Sequence, residues 1–394
     1  MRQGRKRHTM KSFFQSMFSK EAINTGRQSE LDWFKAFAIM WMIQCHVEEV
    51  IFSRFWEDRA FVSGSMLLLI PMLIGISSWA FGFMFSMGTT SVYSHSSSRD
   101  EFVSRGFRLL AAWLVLRLLY IFPLAVHFAS DSGVSVFRYA AKYLLSSDIL
   151  CFAGLFFIYY GFLLKRAAAH AFTHIYIYIY IGGLSLLLFA AGQFIECPVS
   201  GIIAVLCGNF MRSATSSFPF LCWLPAPLFG ICWGKALIHC RNKDRLYGCA
   251  GILSLAGLCI VLLMLGKQGM LTQAGLHELN VPSIYYSGSV KTTAAAIIIF
   301  MLCLSIFYFL SRIVQWSWAK RFIRFMSSNL TVIFFAQWII IPRLALLLPT
   351  PDAPVSGRIS VCISAAVVCL SALCALAWPK VLNRLKKTKA GKFI

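Results

Sequence analysis

Long apolar stretches recur along this chain, and each is long enough to cross a membrane. About 20 helical residues span the ~30 Å hydrocarbon core of a bilayer. About ten such stretches occur, near 31–53, 65–90, 108–128, 148–164, 172–195, 216–238, 246–266, 292–315, 328–348 and 357–378. Since no alternating strand pattern recurs, helices are the expected spanning element. We therefore expect an all-α, polytopic integral membrane protein with about ten transmembrane helices.

The composition excludes a water-soluble protein. Hydrophobic residues make up 58% of the 394 residues and charged residues only 13%, whereas soluble domains average about 25% charged residues. The net charge of +22 does not indicate nucleic-acid binding, because the basic residues lie in short connectors rather than on one face. No Cys/His cluster has the spacing of a zinc site. We expect neither a metal nor structural disulfides.

The distribution of lysine and arginine predicts the orientation. With the N-terminus in the cytoplasm, inside segments carry 26 of the 37 Lys and Arg residues, and outside segments carry 8. This positive-inside bias, together with an even number of spans, places both termini in the cytoplasm. We expect a basic N-terminal tail at 1–30, one membrane domain at 31–378 and a basic C-terminal tail at 379–394. A cytoplasmic cell membrane is the expected location.

The first span contains ionisable residues, which are costly inside a bilayer and indicate function by default. Lys35 and His46 are eleven residues apart, so a helix places them within about 20° of each other and about 16 Å apart along its axis. Glu49 lies one turn beyond His46 and is the predicted partner of its imidazole. A histidine oriented by a carboxylate is a common general base. The alternative is a histidine that packs against a neighbouring span.

Three arginines near the third span are further candidates. Arg105 and Arg108 share a face at the predicted cytoplasmic end of the helix and form a fork suited to phosphate oxygens. Ordinary positive-inside flanking explains most such pairs equally well. Arg117 lies deeper among apolar residues and requires an anionic partner, either a carboxylate or a ligand. Asp148, at the start of the fourth span, is a weaker candidate of the same kind.

The sixth span is rich in proline. The stretch 218–235 contains three prolines and two glycines, and proline bends or breaks helices. Such breaks are tolerated where the backbone lines a cavity. A tilted, kinked packing helix is the alternative.

Several of these features together resemble the transmembrane acyltransferase superfamily, which includes the acyltransferase-3 family and the heparan-alpha-glucosaminide N-acetyltransferase group. The basic residue and histidine of the first helix match Lys35 and His46, and the Arg-x-x-Arg motif matches Arg105 and Arg108. The remaining similar segments are Leu31–Ala38, Phe83–Gly88, Phe218–Lys235, and Ser328–Thr331 with Gln337–Trp338. The resemblance covers most of 31–348.

The resemblance implies an acyltransferase that uses acyl-CoA, usually acetyl-CoA, from the cytoplasm. The acyl group would pass to a hydroxyl or amine of a carbohydrate or glycolipid acceptor at or across the membrane. In this interpretation His46 is the base or acyl carrier, and Glu49 orients it. The donor phosphates would contact Lys35, Arg105 and Arg108, with Arg117 as a deeper contact.

A proton-coupled transporter or flippase is the alternative function, since it would use the same charges inside the membrane. It predicts paired internal repeats with matched broken helices, and the sequence shows a single proline-rich span. The expected partners are the lipid bilayer, acyl-CoA and the acceptor, with no nucleic acid. The sequence leaves a monomer and a homo-oligomer both open.

Overall fold

The computed structural model describes residues 16–51, 66–94, 98–132, 135–144, 148–168, 218, 220–269, 290–348 and 357–387. Within these ranges the regular secondary structure is α-helical, and Phe18 and Cys240 form an isolated antiparallel bridge. In chain order the helices are α1 (Ser29–Ile51), α2 (Met66–Val92), α3 (Arg99–Ser132), α4 (Val136–Leu144), α5 (Ile149–Ala168), α6 (Phe220–Trp223), α7 (Pro225–His239), α8 (Lys243–Lys267), α9 (Val290–Ile313), α10 (Ser317–Ser328), α11 (Leu330–Leu347) and α12 (Gly357–Lys387). The prediction of an all-α protein is confirmed for these residues.

Five described helical segments are long and apolar enough to cross a membrane. They are Arg99–His127, Lys243–Lys267, Ala294–Ile313, Leu330–Leu347 and Arg358–Arg384. Many of their apolar side chains are exposed, such as Leu253 and Leu263 on α8, as expected of a surface that contacts lipid. These helices indicate a multi-pass membrane protein. The predicted span at 172–195 lies outside the described residues, and the total of ten spans and the orientation stay predictions.

Helix α1 lies at the centre of the described helices. Helices α2, α9, α10, α11 and α12 all pack against it, and its apolar side chains, including Ile39, Ile43 and Val47, are buried. Helices α3 and α5 form a closely packed pair, and α11 also contacts α3. Because protein covers most sides of α1, several of its ionisable side chains face other helices.

The backbones of helices α2 and α7 are in close contact at two glycines, Gly88 and Gly230. A Cβ on Gly88 would lie 1.9 Å from the carbonyl oxygen of Pro227, and one on Gly230 would lie 2.0 Å from that of Phe85. Thr89 Oγ1 donates a 2.9 Å hydrogen bond to the carbonyl oxygen of Gly230. Within the described residues 220–235, the proline-rich stretch is helical except at Leu224, between α6 and α7. These contacts favour the packing interpretation of the sixth span.

The chain before α1 is partly docked on the protein. Residues 16–28 run beside the C-terminal end of α7, where Ser19 N donates a 2.7 Å hydrogen bond to His239 O. The predicted N-terminal tail of 1–30 therefore ends in a segment fixed to α7 and in the first residues of α1. At the other end, α12 continues to Lys387, so the predicted start of the C-terminal tail falls inside this helix.

Candidate functional site

His46 lies inside the protein, between α1, α2 and α11. Its imidazole is buried, and its Nδ1 lies 3.2 Å from Gln337 Oε1. The ring centroid is 4.5 Å from that of Trp338 and 6.1 Å from that of Trp79. The imidazole therefore faces other side chains and not the surrounding lipid.

The contact with Gln337 is compatible with one arrangement of hydrogen-bonding roles. With the amide oxygen of Gln337 towards the ring, Nδ1 carries the proton and donates it, and Nε2 of a neutral ring keeps a lone pair. Gln337 is itself fully buried, and its amide is held in an otherwise apolar stretch of α11. The arrangement suits a general base that acts through Nε2.

Lys35 lies three helical turns before His46 on α1, and the helical repeat keeps the two residues within about 20° of each other. Its Nζ is 3.6 Å from Asp32 Oδ1. The Asp32 carboxylate also accepts a 2.6 Å hydrogen bond from Ser327 Oγ and pairs with the Arg27 guanidinium. A carboxylate therefore neutralises part of the positive charge at Lys35.

Arg117 has the carboxylate partner that the sequence left open. It is buried on α3, and its Nε lies 3.8 Å from Asp148 Oδ2. The other oxygen of Asp148 accepts hydrogen bonds from the backbone amides of Leu150 and Cys151, at 2.9 and 3.0 Å, and so caps the first turn of α5. Within the described contacts, Arg117 holds α3 to the start of α5, and its contact with a donor stays a prediction.

A line of aromatic rings connects Arg117 with His46. The Arg117 guanidinium lies 5.3 Å from the ring centroid of Tyr120, and Tyr120 stacks on Trp338 at 4.8 Å. Trp338 then contacts the His46 imidazole. Helix α3 therefore supports the histidine through rings and not through a direct hydrogen bond among the described residues.

Arg105 and Arg108 lie apart from this site in the described contacts. Both side chains are exposed on α3, and the Arg105 guanidinium stacks over the Phe157 ring on α5 at 4.2 Å. No described contact joins either arginine to Lys35. The structure therefore leaves both available to solvent or a ligand without bringing them together with the first-helix lysine.

The expected pairing of Glu49 with His46 is wrong for the described structure. Glu49 is exposed, and the described hydrogen bond of the imidazole goes to Gln337. Three residues along a helix turn a side chain by about 300°, which leaves Glu49 beside the face that α11 covers. Gln337 was named from the sequence only as part of a segment similar to the transmembrane acyltransferases, and nothing in the sequence identified it as the partner of His46.

Glu48 is the buried carboxylate of this part of α1. Its Oε1 accepts a 2.6 Å hydrogen bond from Gln44 Nε2 and a 3.1 Å hydrogen bond from Ser360 Oγ of α12. Its Oε2 has no hydrogen-bond partner among the described residues. No role for Glu48 followed from the sequence.

A second polar cluster, formed by Gln28, Glu30, Lys243 and Tyr247, ties the start of α1 to α8. Glu30 is 1% exposed, and its Oε1 lies 2.7 Å from Lys243 Nζ and 2.9 Å from Tyr247 Oη. Lys243 also donates to Gln28 Oε1 at 2.6 Å. No local sequence signal indicated this cluster, because Glu30 looked like part of a polar tail.

The described ranges contain no group of three or more His, Cys, Asp or Glu side chains that could hold a metal ion. No protein-family model, curated protein or solved structure matches this chain. The resemblance to transmembrane acyltransferases thus rests on the sequence motifs alone.

Proposed function

We propose that this protein is a membrane acyltransferase that moves an acyl group, acetyl in the simplest case, from acyl-CoA to a carbohydrate-like hydroxyl or amine. The observation that carries the proposal is His46. It is a histidine enclosed by protein in α1, the predicted first span, with one ring nitrogen engaged by Gln337 and with Lys35 on the same side of the helix. A buried imidazole with a defined tautomer is typical of acid–base chemistry.

The donor would bind with its nucleotide end at the start of α1. Its phosphates carry several negative charges, which suit Lys35 and the partly exposed Arg27. Arg105 and Arg108 would add exposed positive charge from α3. The extended pantetheine arm would then reach along α1 towards His46, and in the proposed orientation, with both termini in the cytoplasm, the donor enters from that side.

The chemistry needs one proton relay. His46 Nε2 removes the proton of the acceptor hydroxyl or amine while the acceptor atom attacks the thioester carbonyl carbon. The C–S bond then breaks, and the CoA thiolate takes the proton back from the imidazolium. A transient acyl-histidine, formed by attack of Nε2 itself, is the second route. In the first route, Gln337 Oε1 stabilises the imidazolium through the Nδ1 proton.

The test is acetyl transfer in native membranes that contain the overexpressed full-length chain, with radiolabelled acetyl-CoA as donor. We expect His46→Ala to lower the transfer rate by about 10²–10⁴-fold, because a general base contributes rates of this size. His239→Ala is the matched control, since His239 lies at the end of α7 and hydrogen-bonds to the backbone of Glu21. Both variants are compared at equal amounts of folded protein.

Wild-type transfer by His46→Ala would remove the catalytic assignment. Loss of transfer in both variants would also count against it, because the effect would not be specific to the buried histidine. Absence of acetyl-CoA binding by the purified wild-type protein would remove the acyltransferase proposal as a whole.

A proton-coupled transporter or flippase is the second candidate, and Glu48 is the observation that favours it. A buried carboxylate between two helices of a membrane protein is a typical proton-binding group, and the proposed acyl transfer does not use Glu48. Proteoliposomes with an imposed proton gradient test this function. Glu48→Gln should abolish gradient-driven movement of a glycolipid probe if transport is correct, and should leave acetyl transfer intact if the enzyme is correct.

A further inference from the structure

Helix α10 has three different faces, and one is fixed against the protein. Ala319, Ile323 and Met326 are buried where α10 packs on α1. Ser327 Oγ donates to Asp32, and Arg27 Nη2 donates a 3.0 Å hydrogen bond to Ser328 Oγ. These contacts set the rotation of α10 about its own axis, so its other two faces point in defined directions.

The second face is aromatic and exposed. Trp318 is 63% exposed, and Trp316, just before the helix, is 65% exposed. Their rings stack with centroids 5.9 Å apart, and Phe322 lies one turn beyond Trp318 and is also exposed. Exposed aromatic patches mark binding surfaces, and tryptophan is enriched at the level of lipid headgroups.

The third face is basic. Lys320, Arg321 and Arg324 are exposed, and α10 contains no acidic residue. Lys320 Nζ donates a 2.5 Å hydrogen bond to Gln315 Oε1, and no described carboxylate pairs with any of the three. At 100° per residue the basic face lies about 120° from the aromatic face.

The position of α10 in the chain places these faces at the membrane surface. Helix α10 follows the candidate span that ends at Ile313 and precedes the one that begins at Leu330. Only residues 314–316 and Asn329 connect it to α9 and α11. A helix so closely flanked by two membrane spans lies near the boundary between hydrocarbon and water.

We infer that α10 is an interfacial helix that binds anionic phospholipid headgroups. Its aromatic face enters the boundary of the acyl chains, and Lys320, Arg321 and Arg324 contact the lipid phosphates. The separation of protein-facing, aromatic and basic faces matches the requirements of such a helix. This inference is independent of the proposed enzymatic function.

The experiment measures amide hydrogen exchange of α10 in the full-length protein reconstituted in nanodiscs. One set contains phosphatidylcholine alone, and the other an equimolar mixture with phosphatidylglycerol. We expect the anionic lipid to slow exchange of α10 peptides by up to about fivefold for each basic residue, since each contributes ~1 kcal/mol at an anionic surface. Helix α8 serves as the internal reference.

Two triple variants with the same change in charge provide the comparison. Lys320→Gln/Arg321→Gln/Arg324→Gln should lose the response to phosphatidylglycerol. The matched control combines Lys20→Gln, Arg241→Gln and Lys380→Gln, which replace exposed basic residues outside α8 and α10, and it should keep the response. Trp318→Ser/Phe322→Ser should speed exchange of α10 in both lipids, because it removes the apolar contact.

An equal exchange rate of wild-type α10 in the two lipids would overturn the inference. So would a response that survives in the α10 triple variant, or one that free phosphate produces with phosphatidylcholine nanodiscs. Unchanged exchange of α8 in each variant shows that the fold is retained.

Discussion

The ionisable residues in the first turns of α1 have charged partners, whereas those in its last turns have neutral ones. In the first turns, Glu30 pairs with Lys243 and Asp32 pairs with Arg27, so each carboxylate has a cation. The cations keep partial contact with solvent. Charged partners at this end lower the cost of burying the carboxylates.

In the last turns the described partners are neutral. His46 contacts an amide, and Glu48 contacts an amide and a hydroxyl. Neutral dipoles can hold an imidazole or a carboxyl group in place without fixing its charge. Such surroundings suit a group that gains and loses a proton, as the proposed acyl transfer needs of His46. The comparison therefore separates an end of α1 whose carboxylates are paired with cations from an end whose ionisable groups have neutral described partners.

The largest expected effect is at the end of α1 whose carboxylates are paired with cations. Lys243→Met leaves the buried Glu30 without its cation, and breaking a buried ion pair costs about 3 kcal/mol or more of the free energy of unfolding. The measurement is unfolding of the purified protein in mixed micelles with increasing sodium dodecyl sulfate. Transfer activity per folded molecule should change little, because the cluster lies away from His46.

Two further variants make this prediction specific. Glu30→Leu/Lys243→Met removes both charges and should recover much of the loss, since no unpaired charge remains buried. Arg245→Met removes an exposed charge two residues along α8 and should change stability by less than about 0.5 kcal/mol. Equal losses in Lys243→Met and Arg245→Met would show that the buried pair has no special importance.

The second prediction concerns the end of α1 with neutral partners. Gln337→Leu removes the acceptor for His46 Nδ1, and leaving a buried donor without its partner costs about 1–3 kcal/mol, which corresponds to about 10–100-fold in rate. We expect kcat for acetyl transfer to fall by this factor with little change in the KM for acetyl-CoA. Gln337→Glu keeps an acceptor oxygen and should retain more activity than Gln337→Leu. A loss of folded protein that fully accounts for the lower rate would contradict the positioning role.

Local geometry explains which parts of this contrast the sequence could predict. Lys35 and His46 share a side of α1 because the helical repeat fixes their relative direction, and the all-α fold followed from the apolar stretches. The partner of His46 could not be predicted, because Gln337 is nearly 300 residues away and its approach depends on how α11 packs. For the same reason Glu49, the carboxylate nearly one helical turn from His46, was the wrong choice.

The cluster around Glu30 shows a second reason why contacts could not be predicted from the sequence. Its residues flank apolar stretches, where a charge looks like an ordinary boundary signal, and only the packing of α8 near α1 brings Lys243 to it. The partner of Arg117 could be predicted in part. Its depth predicted an anionic partner, but the choice of Asp148 over a ligand depends on the close contact between α3 and α5.

The third prediction tests the Asp32 site. Asp32→Asn removes the charge that holds Arg27 and weakens the contact with Lys35, and we expect a loss of about 1–2 kcal/mol in the free energy of unfolding. The loss is smaller than for Lys243→Met because Arg27 is nearly half exposed and water screens the pair. Thermal unfolding at low and high salt measures it, and a loss that does not shrink with salt would contradict an electrostatic origin.

The smallest effect is expected at Glu48, and it provides the sharpest test of the contrast. Glu48→Gln keeps an acceptor oxygen for Gln44 and Ser360, and its amide replaces an oxygen that has no described hydrogen-bond partner. We expect a change of less than about 0.5 kcal/mol in the free energy of unfolding, because no described cation loses its partner. The measurement is the same unfolding series used for Asp32→Asn. A loss as large as that of Asp32→Asn would mean that Glu48 is ionised and stabilised by charge. The ionisable groups at both ends of α1 would then be held by charged interactions, and the contrast between the two ends would disappear.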